Sequence, residues 1–295
     1  MLQRLNNTLR IKRERIHRLR EIRPVTQPLI REAEILSQLQ DHGGGILFLN
    51  ALPQGRVHKW LSRSGIFSVC TQAGFANPEF AIDTSDAYRH VLRIYAGKRD
   101  RTLLVEVVLR TACFHWKQLY AAHREVTLLV VEWTLLQNPH ASFDAARLPL
   151  PGQRYPGLGV GERIIEFLLA LARELNVDGI VVHPQYYHLA VIYSKGFRFL
   201  HPETEAVLQS LRRDLASIDF TEAAWAVHRG LVREGRKKFR WIPEEQVLPI
   251  ASHLIEYFSS DAYKQPVEAA MQKLSYSVRT RRRRRLQSLI RRRNS

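Results

Sequence analysis

The chain has 295 residues, 45% hydrophobic and 9% aromatic, and 45 Lys and Arg against 28 Asp and Glu give it a formal charge of +17 at pH 7. That apolar share supports a real core, in one large domain with extensions or two small ones. No run of about 18 apolar residues suggests a membrane span, the basic start leads into no signal-peptide pattern, and two cysteines, Cys70 and Cys113, make neither a disulfide framework nor a metal-ligand spacing, so a reducing, cytoplasmic setting is expected.

The charge is unevenly placed. Residues 1–23 carry +6 and residues 279–295 carry +9, which leaves +2 for residues 24–278. A nucleic acid or another anionic surface, if it is a partner, is therefore expected at the two ends rather than on the body.

Residues 2–22 read as a basic amphipathic helix, with Leu2, Leu5, Leu9, Ile16, Leu19 and Ile22 on one side. Such a helix either packs its leucines on the body or lies on an acidic surface. Arg23-Pro24 ends it, because the residue before proline is pushed out of the helical region. A second helix is predicted from about Pro28 to Asp41, stopped by Gly43-Gly44-Gly45, and Ile46–Leu49 reads as a first strand. Ile66–Val69 and Glu79–Ile82 read as strands, and Ser85 as the cap of a helix through Tyr88, Val91, Leu92 and Tyr95.

Two strong strands follow, Leu103–Leu109 and Thr127–Leu136, both rich in β-branched residues and leucine. The stretch from Phe114 to Glu125 between them reads as helical or as a long connection. Glu132 sits amid the leucines and valines of the second strand. Desolvation there raises a carboxyl pKa unless the group is paired, which suits a general base. A solvated or arginine-paired glutamate is the alternative, and Glu106 has the same character.

After Gln137-Asn138-Pro139 and a loop over residues 140–153 comes Arg154-Tyr155-Pro156-Gly157-Leu158-Gly159-Val160-Gly161. Alternating glycines let the backbone approach a ligand closely. The helix that starts near Glu162 offers unpartnered N–H groups and a positive dipole end, so the loop can seat a phosphate, although a plain tight turn reads alike. A Walker loop would need Lys-Ser/Thr where Glu162-Arg163 stands. A dinucleotide fold would need the loop directly after a strand and an acid beyond the next strand, whereas Ile180–Val182 runs into His183. His183 and His188 fit exposed loop positions or proton carriers near neutral pH; five apart, they do not face one another on a helix.

The loop resembles the Arg/Gln-x-x-Gly-x-Gly/Ala signature of the GNAT acyltransferases, and Ala190-Val191-Ile192-Tyr193-Ser194-Lys195-Gly196-Phe197 resembles that family's A-x-x-Y-x-x-G-F helix end. The resemblance implies an α/β fold, a GNAT-like mixed sheet flanked by helices. It also implies that the amides around Arg154, Gly157, Leu158, Gly159, Val160 and Gly161 hold the pyrophosphate of acetyl-CoA or another acyl-CoA. Tyr193 would protonate the leaving thiolate, and Glu132 is the expected base. The chain departs from the pattern at Tyr187, where the family often has asparagine, and in the 140–153 insertion. No cysteine lies in the motif to suggest a covalent intermediate, with Cys113 left open.

Beyond Leu200 the pattern turns helical. Helices are predicted from Pro202, after a Thr221 cap, over Pro243–Phe258 and over Pro266–Leu274. The organisation expected is a basic helical extension over 1–42, a GNAT-like core over 43–202, a helical segment over 203–275 and an Arg-rich tail over 276–295. The function expected is acyl transfer from CoA to an amine by direct attack. The alternative is a non-catalytic GNAT-like module held to nucleic acid or another anionic surface by its ends.

Overall fold

The computed structural model describes residues 23–24, 47–97, 101–116, 125–145 and 147–278. The helices predicted over 2–22 and 28–41 and the tail from Arg279 lie outside the described residues.

The centre of the fold is a mixed sheet that begins as an antiparallel meander. Its strands are β2 (Pro78–Asp83), β3 (His90–Ala96), β4 (Thr102–His115) and β5 (Glu125–Leu136), and the two-residue β1 (Arg23–Pro24) pairs with the far end of β4. β3 corrects the helix predicted from Ser85. Asp86 Oδ1 accepts from the Tyr88 and Arg89 amides in a loop, and His90, Leu92 and Ile94 then alternate into the core with the period of a strand.

Two other predicted strands before it are corrected. Residues 48–52 form a tight turn closed by mutual Phe48 and Leu52 hydrogen bonds. Ile66–Gln72 is a helix, α2, which follows α1 (Gln54–Arg63); Ile66 and Cys70, four apart, face the core. Of the stretch read as helical or as a long connection, β4 runs on through His115 and β5 begins at Glu125, the two pairing in register at those ends, and residues 117–124 lie outside the described residues.

The glycine loop opens α3 (Gly161–Glu174), whose Ile164, Phe167, Leu168, Leu171 and Ala172 are buried. This spacing makes one apolar stripe, which packs with α1 and α2 on one sheet face. The chain returns as β6 (Gly179–Val182), parallel to β5, then α4 (Tyr187–Tyr193) and β7 (Arg198–Phe199). Four register pairs join β5 and β6, from Leu128–Gly179 to Val131–Val182. β5 continues to Leu136, but β6 stops before His183-Pro184, where proline supplies no N–H to extend the ladder. The two strands therefore part beside Glu132.

The sheet does not end at residue 202. The order is β2-β3-β4-β5-β6-β10-β7, where β10 (Gln246–Pro249) lies antiparallel between β6 and β7. The core boundary expected at 202 is thus too early, and the helix predicted over Pro243–Phe258 splits into β10 and α7 (Ser252–Ser259). Between β7 and β10 the chain inserts α5 (Pro202–Asp214), α6 (Phe220–His228) and a hairpin of β8 (Val232–Glu234) and β9 (Lys237–Lys238). After α7 come α8 (Asp261–Met271) and β11 (Tyr276–Val278), which joins β8 in a second, three-stranded sheet. Trp116, Val126, Leu128 and Val181 form a separate cluster with residues of α7 and α8.

Candidate functional site

The loop before α3 is held from both sides. The Asn138 amide, just past β5, donates to the Pro156 carbonyl at 2.8 Å, and Arg147 Nη2 donates to the Gly157 carbonyl at 2.7 Å. Leu158 and Val160 are buried at 5% and 0% exposure, while Gly159 and Gly161 between and after them are exposed. The apolar side chains thus pin the loop to the core and leave its backbone outward. Gly159 has φ 82°, a left-handed value that strains any residue with a Cβ.

The amides of Leu158 through Arg163 donate no hydrogen bond among the described residues; the first amide of the turn to do so is that of Ile164, to the Val160 carbonyl at 2.9 Å. Six successive exposed or loop-lining N–H groups at a helix start form a seat for an anionic ligand. The N-cap, Val160, supplies no side-chain acceptor. Arg163 turns back to the Ser64 carbonyl at 2.8 Å and joins the loop to the α1–α2 turn. Arg154 lies exposed, its guanidinium 5.3 Å from the Tyr155 ring centre.

Glu132 stands at an irregularity in the β4–β5 ladder. Val108 pairs with Trp133 and Leu109 with Val131, so Glu132 is the extra residue. Such bulges re-aim a side chain, and this one leaves Glu132 and Trp133 exposed in an otherwise apolar strand. Arg110 Nε reaches Glu132 Oε1 at 2.6 Å and Arg89 Nε reaches Oε2 at 2.7 Å. Of the two readings of Glu132, the fold builds the arginine-paired carboxylate and not the desolvated, unpaired one. Glu106 is likewise paired, with Arg93 Nε at 2.7 Å.

Tyr193 closes α4. Its ring packs against the core cluster that contains Leu158, Val160 and Phe197, and the Phe197 ring centre lies 5.5 Å away. The hydroxyl has no hydrogen-bond partner among the described residues, and burial raises the phenol pKa above its usual 10. It is therefore a protonated donor at neutral pH. Tyr187, at the expected asparagine position, is buried with its ring 5.9 Å from that of Trp241. Cys113 is kept as a thiol, first by burial and then by the nearby Glu125 and Asp178 charges, which argues against a nucleophilic role.

The two histidines differ. His183 is exposed, with Nδ1 3.5 Å from Glu245 Oε1. His188, expected as a loop residue, is buried at 3% exposure and stacks on Tyr186. The 140–153 insertion is tied down by Trp225 Nε1, which donates to the Pro149 carbonyl at 2.7 Å. Sequence reasoning missed Asn138 and Arg147 as loop clamps and Arg89 and Arg110 as partners of Glu132. An arginine inside the apolar run of β4 was the available signal for Arg110. Among the described residues no group of His, Cys, Asp and Glu could hold a metal ion, and no helix is long and apolar enough to cross a membrane.

No family model and no curated protein matches the chain. Solved structures similar to part of it include two that are bound to nucleic acid by their descriptions. One, described as the crystal structure of a KacTA–DNA complex, is 15% identical with a TM-score of 0.28, over 44% of this chain and 76% of that one. The other, AtaT complexed with acetyl-methionyl-tRNAfMet, is 12% identical with a TM-score of 0.28, over 46% of this chain and 78% of that one.

Proposed function

We propose that the protein is an acyl-CoA-dependent N-acyltransferase, most simply an acetyltransferase. The observation that carries this is the row of unpartnered amides from Leu158 to Arg163, set at the start of α3 and beside the parting of β5 and β6. Those amides suit the pyrophosphate of CoA, and the open end between the strands suits the arm that carries the thioester.

In this reading the acceptor amine attacks the thioester carbon. The C–S bond would break as an amide forms, the departing thiolate would take the proton of the Tyr193 hydroxyl, and the proton shed by the acylated nitrogen would restore that hydroxyl through water. The ammonium form of the acceptor must first lose a proton. Glu132 suits that step poorly, because guanidinium N–H groups engage both of its oxygens, and proton loss to water is the simpler course. A related module that binds acyl-CoA without turnover is the second reading, favoured by the same engaged oxygens and by the buried Tyr187.

The test is thermal unfolding with and without acetyl-CoA, at salt high enough to suppress arginine-driven binding. Ligand at about 100 times its dissociation constant adds roughly 2.7 kcal/mol. An upward shift that disappears in Gly159→Glu is expected. Absence of a shift with acetyl-CoA, CoA and longer acyl-CoAs would overturn the reading, and a shift with no CoA release in the presence of any amine would leave the binding module.

A further inference from the structure

The near-neutral charge of the body hides one strongly basic element. Residues 229–241, RGLVREGRKKFRW, carry six Lys and Arg against the single Glu234. They fold into the β8–β9 hairpin and its flanks, with Gly235 at φ 56° in the two-residue turn. Arg236, Lys237, Lys238 and Arg240 are all exposed, and no described carboxylate lies within ion-pair distance of any of them. β9 is the outer strand of its sheet, so charges at its successive positions, which point to opposite faces, both reach solvent.

The three-stranded sheet places this hairpin beside the point where the arginine-rich sequence begins. Val278, the last residue of β11, pairs with Val232 of β8, and the next residue in sequence is Arg279, the first of nine arginines. That point is firmly set. The Tyr276 amide donates to Asp214 Oδ2 at 2.7 Å, Arg213 Nη2 donates to the Leu274 carbonyl at 2.7 Å, and the Gly235 amide reaches the Ser275 carbonyl at 3.4 Å. The end of β11 and the basic hairpin therefore belong to one small sheet.

We propose that the β8–β9 hairpin is a docking surface for the phosphate backbone of nucleic acid. Guanidinium forks match phosphate oxygens in pairs, and the ammonium groups of Lys237 and Lys238 add two point charges beside them. An anionic lipid surface fits less well. Lipid docking adds apolar side chains to the basic ones, but here the aromatic neighbours turn inward: Phe239 packs on Tyr276, and Trp241 on Tyr187 and Phe199. Ile242 is half-exposed beside them, and one isoleucine does not make an apolar face. Contacts from these cations to phosphate carry no sequence information, so binding is expected to be independent of sequence.

The test measures binding of the full chain to short fluorescent RNA and DNA duplexes of mixed sequence by anisotropy, over a series of salt concentrations. Alanine at Arg236, Lys237, Lys238 and Arg240 together is expected to weaken binding at least tenfold and to make the salt slope shallower by up to about 3.6, near 0.9 for each phosphate that is no longer neutralised. Alanine at Lys59, Arg63, Arg173 and Lys264, which removes the same charge elsewhere, is expected to leave both nearly unchanged. A milder pair, Lys237→Gln with Lys238→Gln, keeps the test valid if the fourfold variant fails to fold. Unchanged affinity and slope in folded hairpin variants would overturn the proposal. So would an equal loss in the control variant, or a loss confined to binding of phosphatidylserine vesicles. None of these outcomes depends on the acyl-CoA reading.

Discussion

Arg110 and Glu132 face each other across β4 and β5, with Nε and Oε1 2.6 Å apart, and Arg89 holds the second oxygen of the same carboxylate at 2.7 Å. The pair fixes the bulge that parts β5 from its regular ladder, and it does so at the sheet surface. Surface ion pairs contribute about 0–1 kcal/mol, so Glu132→Gln should lower stability by no more than about 1 kcal/mol. Turnover with a competent amine should fall less than about tenfold. General bases contribute about 10²–10⁴-fold; a loss in that range would return Glu132 to that role.

The glycines of the loop can be separated by conformation. Gly159 has φ 82° with open space where a Cβ would stand, whereas Gly161 has no left-handed φ and equally open space. Gly159→Ala therefore meets backbone strain of about 1–2 kcal/mol without a clash. Gly161→Ala, at the first position of α3, should be neutral or raise stability by up to about 1 kcal/mol. Thermal unfolding of the two variants measures both. The reverse order would show that the loop has another conformation.

How much of this was legible depends on how local the determining contacts are. The unit from the loop through α3, β6 and α4 is set by neighbours in sequence: glycines before a 3.6-residue stripe, Asp178-Gly179 at a turn, Gly196 at a helix end. It could be read directly. β3 could not, because Tyr88, Val91, Leu92 and Tyr95 fall at helical spacing while His90, Leu92 and Ile94 alternate. Only pairing with β4 decides between the two periods. β10 was merged into a helix because its partner strand, β6, lies more than sixty residues earlier. The site shows the same division: the amide row belongs to a local motif, but the arginines that occupy Glu132 come from other strands and loops. The basic hairpin was hidden by averaging the charge over residues 24–278.

Acid should destabilise the protein through its buried imidazoles. His188 is buried with its Nδ1 unpartnered, and burial, aided by His228, lowers its pKa to about 4. His90 is lowered too, mainly by burial, and its Nδ1 accepts from the Leu49 amide at 2.6 Å. A group with a depressed folded pKa that is neutral when folded contributes stability above its unfolded value, near 6.5, and loses it as pH falls toward the folded value. For His188 the loss is roughly 2 kcal/mol by pH 5. His188→Phe should be neutral or stabilising at pH 7, since an unpartnered buried nitrogen is removed. It should also flatten melting temperature against pH between about 6.5 and 5, with His90 left to supply the remaining slope. An unchanged slope would show that His188 does not stay neutral in the fold.

Tyr193 offers the sharpest separation of chemistry from packing. Its ring fills space against Phe197 and the loop anchors, and its hydroxyl bonds to no described group. Tyr193→Phe keeps the ring and removes only the proton donor. Stability should therefore stay within about 0.5 kcal/mol, acetyl-CoA should still raise the melting temperature, and turnover should fall on the order of 10²-fold. Tyr193→Ala should instead destabilise by roughly 3 kcal/mol through the cavity it leaves. Burial raises the phenol pKa, so the donor stays protonated past the ordinary tyrosine range. Any alkaline fall in turnover due to Tyr193 should lie above pH 10 and vanish in the phenylalanine variant. Full activity in that variant, with cofactor binding intact, would assign Tyr193 to packing and leave the thiolate to be protonated by water.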